Sequence, residues 1–281
     1  MMGAGPVREP IVAGQFYEGQ ADALRRQIAS CYTGARGPGR LPQVNPSGPR
    51  AIVGLVSPHA GYVFSGAIAA HGFSRVAQDG VPDAAVIIGP SHRSPVPALQ
   101  TTGSWRTPLG DVPIHEQLAG AIAERLPRFH DGPDGFSSEH SIEVQVPFVQ
   151  HLYGDSCAIV PIMVARQDAA ESRQVGEAIA AAAVETDVLI IASTDMTHYE
   201  PAEMAMAQDK ILISLMERMD AEGLLRTRPD ISMCGRGPVA AMLIAGSALG
   251  ATRAEMGAYG HSGEVIAGSG VVGYVSVVVS R

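Results

Sequence analysis

The residues best equipped for chemistry in this chain are histidines, an aspartate and a cysteine that follow apolar runs. His59 stands in "LVSPHAGYVFSG", His92 in "AAVIIGPSHRSP", and Asp195 with His198 in "LIIASTDMTHYE". Each falls within about two to five residues of the carboxyl end of a predicted strand, which is where open α/β sheets bind ligands. Cys234 precedes "GRGP", in which Pro238 suits the first position of a following helix. A thiol just ahead of a helix feels the positive end of its dipole, so a lowered pKa and thiolate character are expected. Two neutral imidazoles and a thiolate make a three-ligand metal site with an open position. Their softness suits zinc, copper or ferrous iron rather than magnesium or calcium. Read one at a time, the same residues have blander roles: a histidine after a strand as a hydrogen-bonding loop residue, Cys234 as a small buried apolar side chain. His140 and Glu143, one helical turn apart, face either the cleft or the surface. His71, His115, His130 and His151 lack a comparable setting and read as surface or helix histidines.

The elements that must position these groups alternate in period. Strands are predicted at about 51–57, 84–89, 157–164 and 187–193, with helices at about 65–78, 116–126, 169–184 and 202–221. The stretch "PALQTTGSWRTPLGDVPI" reads as hairpin-like, and a helix over about 140–152 is expected to kink or end early at Pro147. The alanine-rich "VAAMLIAGSAL" is a further helix, and "ATRAEMGAYG" and "GVVGYVSVVV" read as two closing strands. Periods of 2 and 3.6 in alternation predict an α/β fold: a central, mainly parallel or mixed sheet with helices on both faces. Residues 36–50, rich in Gly, Pro and Arg, form a surface loop too short to divide domains, so residues 1–281 are taken as one domain.

Composition narrows the function classes. Hydrophobic residues make up 46% of the 281, enough for a sizeable core, and mean hydropathy is +0.12. No apolar run reaches the length of a membrane span, and the first residues lack a signal-peptide pattern, so a cytoplasmic location is expected. Three cysteines cannot all pair, which suits free thiols in a reducing compartment. A net charge of −8 argues against a nucleic-acid surface, because neutralising phosphates needs a basic face. Lys210 is the only lysine; the remaining basic residues are arginine.

In order, "VREPIVAGQFY", "PHAGYVFSG", "GPSH", "RTPLGD", "EHSIEVQVPF", "STDMTHY" and "CGRGP" resemble the Memo family, whose prokaryotic members are often called AmmeMemoRadiSam system protein B. The resemblance runs from about residue 7 to about residue 279. It implies a fold related to the class III extradiol ring-cleaving dioxygenases. It also implies a cleft in which His59, His92 and Cys234 hold a metal ion, lined further by Asp195 and His198. The function expected on this basis is a metal-dependent oxidoreductase of dioxygenase-like ancestry using iron or copper, with His198 as general acid or base oriented by Asp195. Replacing a carboxylate ligand by thiolate changes the metal's potential, so dioxygenase activity does not follow from fold alone. The alternatives are a partner module that has kept the cleft without the reaction, and a zinc hydrolase with His140 or Glu143 as base. Expected partners are a small molecule or peptide in the cleft and, by the same resemblance, radical-SAM and AMMECR-type proteins. Neither nucleic acid nor membrane is expected.

Overall fold

The computed structural model describes residues 5–281. In chain order the elements are β1 (Val7–Arg8), α1 (Ala21–Thr33), β2 (Ile52–Ser57), α2 (Tyr62–Gln78), β3 (Ala84–Pro90), β4 (Ala98–Leu99), β5 (Ser104–Thr107), β6 (Gly110–Pro113), α3 (Glu116–Ala123) and β7 (His130–Asp131). They continue with α4 (Val146–Tyr153), β8 (Ala158–Val164), α5 (Ala169–Ala182), β9 (Val188–Ser193), β10 (His198–Glu200), α6 (Ala202–Glu217), α7 (Ala221–Leu225), α8 (Arg236–Ala248), β11 (Arg253–His261) and β12 (Val271–Ser280).

Every residue of β2, β3 and β9 is buried, as expected of parallel strands covered on both faces. These strands and β8 run parallel in the spatial order β2-β9-β3-β8. The antiparallel β12 flanks β2, and β4 pairs antiparallel with β8. The sheet is therefore mixed around a parallel centre, as the alternating periods predict. A second, small sheet joins β1 to the β5–β6 hairpin.

Alternation along β2 places the helical layers. Leu55 faces Gly72 of α2, while its neighbour Gly54 faces Met242 of α8. Successive strand residues point to opposite faces, so α2 and α8 cover opposite sides of the sheet. A Cβ at Gly54 would press on the Met242 sulfur, so glycine lets α8 pack close to β2 here. One hydrophobic cluster joins both layers to the sheet.

The helix expected over 140–152 differs in form. Residues Glu143–Gln145 make a 3-10 turn and α4 starts only at Val146, with Pro147 in its first turn. A proline there lacks an N–H that would have no intrahelical acceptor, so it begins the helix rather than kinking it. The helix predicted over 202–221 stops at Glu217 and resumes as the short α7. Pro238 sits in the third position of α8, which begins at Arg236. Among the described residues no helix is long and apolar enough to cross a membrane.

Candidate metal centre

Register decides where the candidate side chains meet. Ser57 pairs with Ser193, and Ile88 with Ala192, so β2, β9 and β3 end along one rim. Because β9 lies between the other two, the loops carrying His59 and His92 leave the sheet on either side of Ser193–Asp195. His140 enters from the turn ahead of α4. The ligating nitrogens of His59, His92 and His140 all lie within 4.8 Å of one another, a spacing suited to one shared ion. His92 and His140 stack with ring centroids 4.8 Å apart, and His59 meets both edge-on.

Cys234 touches this set through His59, its sulfur 3.2 Å from Nε2. It is delivered by the start of α8. Gly235 donates its N–H to the Thr194 hydroxyl, and a Cβ at Gly235 would collide with the Ser193 carbonyl. Only glycine lets the helix start lie this close to the end of β9.

Two hydrogen-bond networks fix which imidazole nitrogens are free. The Ser193 hydroxyl donates to the Ser141 carbonyl at 2.6 Å and accepts from Gln145 Nε2 at 2.8 Å. Its one proton is thus committed, so at 2.9 Å from His59 Nδ1 it accepts, and Nδ1 carries the proton. The lone pair of His59 is therefore on Nε2, facing the Cys234 sulfur. On the other ring, Glu139 lies 3.0 Å from His92 Nδ1 and accepts the backbone N–H groups of His92, His140 and Ser141. A carboxylate behind one ring nitrogen leaves the other free for a metal and raises its basicity.

The electrostatics follow from burial against these contacts. Burial pushes the Glu139 carboxyl upward, but the His92 hydrogen bond and charge, with the backbone N–H groups, pull it down to about 2. For His92, burial favours the neutral ring, yet the Glu139 contact outweighs it and the pKa is raised. Burial, reinforced by the neighbouring imidazoles, drives His59 well below its ordinary value and lowers His140 as well. Burial also raises the Cys234 thiol, with the Asp195 charge adding to it. This runs against the expected lowering of the thiol: burial opposes the dipole of α8 and pushes Cys234 up, with its sulfur in hydrogen-bond reach of His59 Nε2.

Asp195 and His198 both line this rim, but not as an orienting pair. The Asp195 carboxylate accepts the His59 backbone N–H at 2.8 Å, with the Ala60 N–H also turned to it, and burial raises it to about 7. Asp195 thus positions the loop that carries His59. The His198 backbone N–H donates to Ser232, and burial lowers its imidazole, opposed by the Met196 backbone. Glu143 faces neither the cleft nor the surface. Its buried carboxylate accepts from Arg8, from the N–H groups of Ile11 and Val12, and from the Tyr17 hydroxyl. The other five histidines lie elsewhere: His115 caps α3, His130 pairs with Asp134, His151 stacks on Tyr32, His71 meets the Arg36 carbonyl and His261 lies 3.9 Å from Glu264.

Sequence reasoning left His140 undecided and passed over Glu139, Ser193 and Gln145. The signals were present: a carboxylate directly before a histidine in "SEHS", and a serine closing the otherwise apolar "VLIIAS".

The family described as Memo-like protein matches residues 8–278. A MEMO1 family protein of Methanopyrus kandleri is 43% identical over 281 residues, covering 98% of this chain and 99% of that one. One from Methanothermobacter thermautotrophicus is 42% identical, covering 95% and 98%. Among solved structures, an uncharacterised protein of Escherichia coli K12 shares the fold, with a TM-score of 0.51 at 14% identity over 80% of this chain and 98% of that one. With its full-length relatives and its rim of strand-end histidines, this chain belongs to the Memo family.

Proposed function

We propose that the protein is a metal-dependent oxidoreductase. A redox-active ion, iron or copper, is held by His59, His92 and Cys234, with His140 completing the donor set. The observation that carries this reading is the pair of back-bonded rings. Ser193 and Glu139 hold the Nδ1 protons of His59 and His92, leaving both Nε2 lone pairs for an ion shared with His140, while the Cys234 sulfur lies beside His59 Nε2. Nitrogen and sulfur donors of this softness fit iron, copper or zinc.

When bound, the ion would supply electron-transfer and Lewis-acid chemistry to a substrate. The chain's own groups do the rest. Cys234 gives up its proton on ligation. Asp195 keeps the His59 loop in place through its backbone contacts. His198, whose imidazole burial pushes below its ordinary value, accepts a proton from the substrate. Phe16 packs edge-on to His140 at 4.8 Å and forms an apolar wall.

The test is purification without oxygen, metal quantification, and oxygen-uptake assays with catechols, for the native chain and for His59→Ala, His92→Ala, His140→Ala and Cys234→Ala. Iron or copper near one per chain, lost in these variants together with turnover, is the expected result. No metal under any loading condition discards the reading. Stoichiometric zinc with an esterase or amidase activity that disappears in His59→Ala would favour a hydrolase instead. That alternative has lost one of its two candidate bases, since Glu143 is consumed by the N-terminal segment. A stable complex with a partner protein and no turnover would favour a binding module.

A further inference from the structure

We propose that the groove between α6 and β11 is where a second copy of this chain docks. In this arrangement α6 lies antiparallel to its counterpart about a twofold axis near Ser214. The groove holds about 400 Å³ and is lined by Met206, Lys210, Ile213, Ser214, Met256 and Tyr259, with Glu217 at its end. Met206 and Met256 are 49% and 44% exposed, and Ile211 and Met204 add further exposed apolar surface on the same helix. Flexible thioether side chains adapt readily to an opposing apolar face.

Charge identifies the occupant. Lys210 and Glu217 have no ion-pair partner among the described residues, and Glu217 uses only Oε1, accepting the Met256 N–H at 3.3 Å. The two charges are seven residues apart, two helical turns or about 10.5 Å, so they share one face of α6. Turning a second α6 about an axis near Ser214 brings Lys210 opposite the partner subunit's Glu217, and Glu217 opposite the partner subunit's Lys210. One surface thereby satisfies both charges twice, as an isologous interface requires. A strongly acidic or strongly basic partner would leave one of the two facing its own sign. A chain with net charge −8 repels its copy over most approaches, whereas here the local charge cancels. Ile213 and the small Ser214 at the axis allow the helices to approach to about 8–10 Å.

The experiment is sedimentation equilibrium on the full chain, with circular dichroism confirming that each variant is folded. The native chain is expected at twice 29.3 kDa at about micromolar concentration. Lys210→Glu and Glu217→Lys each place like charges opposite one another twice and should weaken association by about tenfold or more, while the double variant restores it. Met206→Glu, which leaves both charges in place, should also give monomers. A native chain that stays monomeric at about 100 µM overturns the proposal, as does a dimer indifferent to both single charge reversals.

Discussion

Glu139 shows how much one side chain can settle. It is 2% exposed, receives four backbone or ring N–H contacts, and carries its charge down to about pH 2. Its work at the site is to hold His92 in one tautomer and one orientation. Glu139→Gln should therefore weaken metal retention by about 10- to 100-fold while the fold persists, because the amide can accept from His92 but brings no charge. A chelator competition titration on both proteins measures this, and equal affinities would remove Glu139 from the site's design. His59 and His92 were readable as candidates because each stands one or two residues past a proline at the end of an apolar strand. Glu139 adjoins a histidine in "SEHS", but that adjacency alone does not distinguish a carboxylate that will be buried against a ring from one that caps a helix in water.

At the scale of elements, the N-terminal segment is fastened across the molecule by Glu143. Arg8 lies over the Trp105 ring at 4.5 Å and pairs with Glu143, whose oxygens also take the Ile11 and Val12 N–H groups and the Tyr17 hydroxyl. The same segment carries Phe16 against His140, so its anchorage bears on the site. Removing one member of a buried pair strands the other charge. Glu143→Ala should cost about 3–5 kcal/mol and lower the thermal midpoint by about 10 °C. Calorimetry decides; a shift under about 2 °C would mean that Arg8 finds other partners at little cost. Helical apolar spacing predicts a helix over about 140–152, but Glu143–Gln145 form a 3-10 turn from which Glu143 meets the N-terminal segment and Gln145 the Pro58 carbonyl and Ser193 hydroxyl.

Over the whole molecule, Asp209 ties distant parts together. From α6 it accepts the Thr197 N–H beyond β9 at 3.0 Å and the Tyr259 hydroxyl of β11 at 2.7 Å, and it lies against Gly273 of β12. Burial raises its pKa, with the Thr197 and Tyr259 hydrogen bonds opposing. The folded state thus favours the protonated acid. That contribution is fully present below the unfolded value near pH 4 and is lost as pH rises through the higher folded value. Asp209→Asn keeps the hydrogen-bonding shape without the charge. Its thermal midpoint should gain on the native protein as pH rises from about 4 to 8, and merge toward it at the acidic end. Parallel pH profiles for the two proteins would contradict a raised Asp209.

The sequence by itself determined the layered α/β architecture, since alternating periods and fully apolar strands permit little else, and it determined family membership through motifs spread along the chain. It also placed His59, His92 and Asp195 at strand ends, because a parallel sheet collects such ends on one rim. Only the tertiary structure decided that His140 joins them, that Glu139 and Ser193 set the ring tautomers, that Glu143 is an anchor, and that burial pushes the Cys234 thiol up. Those outcomes depend on burial and on contacts between residues far apart in the chain. Desolvation and directional hydrogen bonds act at a few ångströms in space, and periodicity along a sequence carries no record of them.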